Sequence, residues 1–209
     1  MRYFLIAAFL CVTTVFPAAA DHPVELEQVC FTPGGDCTDV VVATIAGAKR
    51  QVLVQAYSFT SMPIAKALVD AHARGVDVRA ILDKSQRSEK NSGADYLANS
   101  GVPVQIDTIH GIAHNKVMVI DDESVITGSF NFTKSAQDKN AENLIVLRDP
   151  DLARVYADNW KIRSGHSEPY IGHAVNMQTD APDLSPLRQC TRGIPCGGGC
   201  ISAAKICRK

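Results

Sequence analysis

The sequence predicts an α/β fold, a mixed β-sheet flanked by helices, with a small Cys-rich appendage at the C-terminal end. Strand-like and helix-like stretches alternate from Gln51 to Leu82, a run of strand-like segments follows up to Leu147, and four of the seven cysteines fall within the last twenty residues. Strands that alternate with helices and then follow one another directly imply a layered sheet whose strands run in both directions.

Thr38 is positioned to cap a helix over Asp39–Ala48, with Val41, Ile45 and Ala48 on one face. Gln51–Tyr57 reads as a strand. Pro63 opens a second helix whose Ile64, Leu68 and Val69 share a side, and Gly75 closes it. Val76–Leu82 is a further strand, residues 83–88 form a polar loop, and a helix runs to Ser100, ended by Gly101. Val104–Ile106, Lys116–Ile120, Ser124–Thr127 and Asn143–Leu147 read as strands. Asp149-Pro150 starts a last helix through Trp160, with Leu152, Val155, Tyr156 and Trp160 facing inward. Periodicity ends near Gly165, and Thr179–Pro186 has the composition of a linker.

The chain has 209 residues, 46% hydrophobic and 21% charged, with 21 Lys+Arg against 22 Asp+Glu. That profile excludes a disordered tail, a collagen and a multi-span membrane protein. A net charge of −1 also argues against a chain coated with basic charge, so any site for a polyanion must be local. Arg2, the uncharged stretch Tyr3–Phe16 and Pro17-Ala18-Ala19-Ala20 have the layout of a secretory signal peptide over 1–20, too short for a spanning helix. Its removal takes away Arg2 and no acid, leaving a charge of −2. The expected location is periplasmic or secreted, without stable membrane insertion.

Export changes how the cysteines read. Cys11 leaves with the signal, and Cys30, Cys37, Cys190, Cys196, Cys200 and Cys207 remain, an even number in an oxidising compartment. A disulfide is expected between Cys30 and Cys37 and at least one within 190–207. The alternative for the last four is zinc, although their spacing lacks paired C-x2-C knuckles. The expected organisation is therefore a main domain over 21–165, a linker over 166–187 and a cationic tail over 188–209.

The chemistry lies in His114-Asn115-Lys116-Val117-Met118-Val119-Ile120-Asp121 and, six residues on, Gly128-Ser129-Phe130-Asn131-Phe132-Thr133. Strand alternation puts His114 and Lys116 on one face, and likewise Ser129 and Asn131. An imidazole, an ammonium, a hydroxyl and an amide together suit a phosphodiester, with the imidazole attacking or transferring a proton and the others holding oxygens. The spacing H-x-K-x4-D-x6-G-S fixes five positions, a coincidence of about one in three million windows at roughly one in twenty each.

This string resembles the HKD signature of the phospholipase D superfamily, and the stretch from about Val29 to Trp160 is most similar to its small, single-HKD bacterial Nuc-type endonucleases. Gln55–Thr60, Arg74–Val78, Tyr96–Gly101, Gly128–Lys134 and Asn140–Asn143 carry the likeness as well. The resemblance implies His114 as the nucleophile that forms a phosphohistidine. It implies Lys116, Ser129 and Asn131 as phosphate ligands, and Glu142 as the partner of an active-site imidazole. Asp121 and Gly128 would be structural, and no metal or other cofactor is called for. One HKD copy implies a homodimer in which a second His114 protonates the leaving oxygen and then activates water.

His110 lies four residues before His114, but Gly111 intervenes and a strand follows, so a helical metal pair is not expected. His22, His72, His166 and His173 carry no functional reading, being surface or core residues. A nucleic acid substrate, DNA or also RNA, fits the resemblance and the loop bases Lys84, Arg87, Lys90, Lys134 and Lys139. A phospholipid or other phosphodiester is the alternative, though no amphipathic membrane-binding helix supports it. A third reading makes the cationic tail a surface-binding module.

Overall fold

The computed structural model describes residues 23–173, 194–196 and 199–201. The expected signal peptide over 1–20, the linker beyond residue 173, and Cys190 and Cys207 lie outside the described residues.

The chain runs β1 (Glu25–Thr32), α1 (Cys37–Gly47), β2 (Gln51–Ala56), α2 (Met62–Ala73), β3 (Asp77–Asp83), a 3-10 turn (Lys84–Arg87), α3 (Gly93–Asn99) and β4 (Val104–Asp107). Then follow β5 (Lys116–Ile120), β6 (Ser124–Gly128), α4 (Lys134–Asp138), β7 (Glu142–Arg148), α5 (Pro150–Ser164) and β8 (Glu168–Tyr170). Eight strands form one sheet in the order β1-β7-β6-β5-β2-β3-β4-β8. β2, β3 and β4 are parallel, and every other pairing is antiparallel, so the sheet is mixed.

β2 sits at the centre, and its residues split between two cores. Val52, Val54 and Ala56 join the larger one under α1, α2 and α3, while Leu53 joins a smaller one with Val117, Val119, Val125 and Trp160 under α5. The period of two thus feeds both faces, as a strand covered on both sides requires. Trp160 is buried, and its indole N–H donates to the Val54 carbonyl at 2.9 Å, so its one polar group is satisfied.

Several details differ from the sequence expectations. Helix α1 is capped by Asp36, which accepts from the Asp39 amide, and Thr38 lies inside the first turn. The Cys30–Cys37 disulfide, with Cα atoms 5.5 Å apart, holds Cys37 at the start of the helix and moves the turn back to Asp36. In α5 the inward row is Ala153, Ala157 and Trp160, with Leu152 and Tyr156 at its margin. Val155, expected to face inward, is 65% exposed, because two residues of helix turn it to the side opposite Ala153. Residues 83–88 are more ordered than a polar loop, with Asp83 and Gln86 buried and a 3-10 turn between. The sheet also continues past Gly165, since β8 pairs with β4.

The compact unit ends at Gly172. In the second unit, β9 (Ile194–Cys196) and β10 (Gly199–Ile201) pair antiparallel, with Cys196 opposite Gly199 and Cys200 opposite Pro195. Among the described residues no helix is long and apolar enough to cross a membrane.

Reducing the Cys30–Cys37 bond is expected to lower stability by about 2 kcal/mol, as befits a short closed loop. Urea denaturation with and without reductant, in a chain carrying Cys→Ser at the four tail cysteines, checks this. An unchanged midpoint would contradict it.

Candidate active site

Parallel β2, β3 and β4 end on the same rim of the sheet, where α/β folds place their ligands. Antiparallel pairing brings three other strand ends to that rim. Ala56 at the end of β2 faces Lys116 at the start of β5, and Gly128 at the end of β6 faces Leu144 near the start of β7. Tyr57, Asp83, Asp107, His114, Lys116, Ser129 and Glu142 are therefore gathered from distant parts of the chain by strand direction alone.

His114 is exposed and lies two residues before Lys116, the first residue of β5. The Lys116 ammonium donates to its Nε2 and to its backbone carbonyl, each at 3.0 Å. With lysine as the donor, Nε2 carries the lone pair and the ring proton sits on Nδ1. The Tyr57 ring lies 4.8 Å from the imidazole, and Lys116 Nζ is 5.3 Å from the Tyr57 centroid, within cation–π range. Lys116 is only 7% exposed. Burial holds its pKa below the ordinary lysine value, and the negative charge of Glu142 opposes that shift.

A second cluster forms around Ser129, whose hydroxyl donates to Glu142 at 2.6 Å and accepts from the Asn143 amide at 3.0 Å. Asn140 donates to the other Glu142 oxygen at 2.9 Å. Gly128 makes this turn possible: its φ is +147°, and a Cβ there would lie 2.3 Å from the Asn143 carbonyl oxygen. The Ser129 proton is thus committed to Glu142, so donation to a ligand needs rotation of the hydroxyl. Asn131 is half-buried and its side chain shares no hydrogen bond with either cluster; its amide oxygen is sealed from solvent without a hydrogen-bond partner.

Asp121 lies at the opposite end of β5. Its carboxylate accepts from the Lys49, Arg50 and Gln51 amides at 2.9, 2.7 and 2.9 Å. Burial raises its pKa, but those bonds and Arg50 outweigh burial and hold it below the usual carboxylate range. It closes the turn into β2, away from the rim.

Asp107, His110 and His166 each bring a ligand atom within 4.8 Å of the others. That set could hold a divalent ion, but the Arg163 guanidinium rests against His110 and meets any cation with like charge. His110 instead donates Nδ1–H to Asp107 at 2.8 Å.

The sequence pairs His114 with Lys116, as the structure does, and Ser129 with Asn131 by strand alternation; β6 ends at Gly128, so that alternation does not extend to them, and Ser129 bonds to Glu142 instead. No role of their own falls to Tyr57, Asn140, Asn143, Asp83 and Asp107 from the sequence. Tyr57 was recoverable, because it follows directly on the strand residue that must pair with Lys116. The two aspartates each end a parallel strand, and that placement was the available signal. Of the loop bases, Arg87 pairs with Glu168 and Lys134 with Asp138, whereas Lys84 donates to the His110 carbonyl at 3.0 Å.

Residues 41–161 match the family described as cardiolipin synthase, PLD-like domain. A protein named phospholipase D from Rickettsia conorii is 46% identical over 133 residues, covering 64% of this chain and 66% of that protein. Another of that name from Rickettsia typhi is 45% identical over 144 residues, covering 69% and 71%. The chain therefore spans about two thirds of the length of these relatives. Among solved structures, Nuc from Salmonella typhimurium, described as a phospholipase D family member, superposes with a TM-score of 0.68 at 39% identity, covering 71% of this chain and 99% of that one.

Lys116 is expected to lose its proton below the ordinary lysine value, and Glu142→Gln to lower that point further, since the carboxylate favours the charged ammonium. NMR titration of the lysine side chains in both proteins measures this. A rise on removing Glu142 would contradict the electrostatic picture.

Proposed function

The chain belongs to the phospholipase D superfamily, a family of phosphodiester-cleaving enzymes, and from that premise we propose that it is an exported, homodimeric nuclease that cleaves DNA, and RNA as a second substrate, without metal. The observation that carries this reading is the 3.0 Å approach of a buried ammonium to the Nε2 lone pair of an exposed imidazole. The imidazole is a nucleophile open to solvent, and Lys116 is a cation whose removal from water strengthens its hold on a phosphate oxygen.

In the proposed reaction a phosphate oxygen takes the Lys116 ammonium and releases Nε2. That nitrogen attacks phosphorus in line, and the bond to the leaving oxygen breaks as the P–N bond forms. The imidazole of the second copy gives its proton to the leaving oxygen, then takes one from water, whose oxygen displaces His114 from phosphorus. Glu142 orients that second imidazole, Asn131 and Ser129 complete the phosphate cradle, and Asp121 with Gly128 keeps the scaffold in shape.

The dimer is supported by an apolar face that α5 leaves uncovered. Leu26, Val29 and Phe31 of β1 are 57, 44 and 64% exposed, and the register on β7 sets Leu26 opposite half-buried Leu147, Val29 opposite half-buried Ile145 and Phe31 opposite Asn143. A contiguous apolar face of this kind on a sheet edge is what a second subunit covers. Export is supported by the layout of residues 1–20 and by the Cys30–Cys37 disulfide.

Nucleic acid is favoured by the near-complete coverage of Nuc. Phospholipid is the second reading, favoured by the names of the Rickettsia proteins and by Ile109 and Ile112, 63 and 59% exposed in the loop before His114.

Incubation of the protein with plasmid, RNA and labelled phospholipid vesicles, each with and without EDTA, is expected to give nucleic acid cleavage that EDTA leaves intact. Cleavage of vesicles alone would favour the second reading, and activity abolished by EDTA and restored by Mg2+ would contradict both. Equal, random mixing of wild-type subunits with His114→Asn subunits is expected to leave about a quarter of the activity on DNA, the share of fully wild-type dimers. Retention of about half would indicate self-contained sites.

A further inference from the structure

Asp83 and Asp107 end the parallel strands β3 and β4 directly opposite one another, and each is 2% exposed. Neighbouring carboxylates taken out of water are unfavourable unless hydrogen bonds compensate them. Nearly all of those bonds come from one source, the segment between β4 and β5 that carries His114. Asp83 accepts from the Ala113 amide at 2.7 Å, its other oxygen being met by the Ser85 amide at 3.0 Å. Asp107 accepts from the His110 amide at 3.3 Å and from its imidazole at 2.8 Å.

Further contacts fix the same segment. Lys84 donates to the His110 carbonyl, Arg163 of α5 lies against the His110 ring, and the Tyr57 amide donates to the Asn115 carbonyl at 2.8 Å. Thr108 donates to Glu168 of β8 at 3.0 Å. Residues 108–115 belong to no strand, and Ile109 and Ile112 face solvent, so apolar packing does little to fix them. Their conformation rests on polar tethers at positions 108, 110, 113 and 115.

We infer that Asp83 is a positioning residue for His114: its carboxylate holds the Ala113 amide so that the next imidazole meets Lys116 Nζ and the Tyr57 ring, with Asp107–His110 as a second tether. The inference rests on His114 being the nucleophile. Neither aspartate touches the imidazole or the ammonium. For Asp83, burial raises the pKa but the Ser85 and Ala113 amides outweigh it, so the carboxylate stays an anionic acceptor at neutral pH. Displacing a nucleophile by about 1 Å can lower a rate ~10²-fold, which sets the size of the expected effect.

The test uses the full chain with Asp83→Ala and Asp83→Asn, read by turnover and by 15N NMR of the histidine side chains. Asp83→Ala is expected to lower kcat on DNA ~10²-fold with KM nearly unchanged, and to move the His114 Nε2 resonance while His72 stays in place. Asp83→Asn keeps an oxygen for the Ala113 amide and is expected to restore kcat to within about tenfold of wild type. If Asp83→Ala does not fold, His110→Ala, at a half-exposed position, breaks the second tether and is expected to move the same resonance. An unmoved His114 resonance in the folded variant, or a rise in KM at constant kcat, would overturn the inference. A moved resonance in a protein whose His114→Asn variant still cleaves DNA would leave the tether standing and overturn the catalytic reading instead.

Discussion

Ala56 faces Lys116 across the antiparallel seam between β2 and β5, and the site depends on that register. Side chains alternate along a strand, so a slip of one residue would carry Lys116 to the α5 face and Val117 to the other. The slip is resisted because both faces are committed: Met118 and Ile120 fill the larger core, Val117 and Val119 the smaller. Asp121 adds a polar lock at the far end, drawing three amides of the β2 entry onto one carboxylate. The packing that stabilises the sheet thus also fixes the ammonium beside the imidazole.

The rim divides its labour between groups that face solvent and groups that do not. His114 is exposed and can reach a bulky substrate, whereas Lys116 is buried and bears the electrostatic penalty of burial. Glu142 offsets part of that penalty and is itself held by Ser129 and Asn140. Behind them, Asp83 and Asp107 are nearly inaccessible and act on backbone and loop groups. Charge grows less accessible from His114 inward, and in the proposed reaction it is the His114 Nε2 that meets an incoming phosphate.

Much of this is legible in the sequence, for identifiable reasons. β2, β3 and β5 stand out because both their faces are covered, which writes near-continuous apolar runs such as Val117–Ile120. His114, Lys116, Asp121 and Gly128 stand out because their spacing follows from one strand, one turn and the next strand. β1 is hidden, since it is an edge strand whose Leu26, Val29 and Phe31 face outward and blur the alternation. β8 is hidden too, because three residues that include Pro169 become a strand only by pairing with β4. Tyr57, Asp83 and Asp107 owe their place at the rim to strand order, and a sequence does not display strand order until the sheet is assembled.

The central claim is that Nε2 of His114 bonds to phosphorus during turnover. Rapid denaturation at alkaline pH during cleavage of an aryl phosphodiester, followed by peptide mass mapping, tests it most directly, because a phosphoramidate survives alkali. The account predicts an adduct confined to the peptide containing His114, formed as the phenolate is released and absent in His114→Asn. Steady turnover with no adduct, or an adduct on another residue, would contradict it.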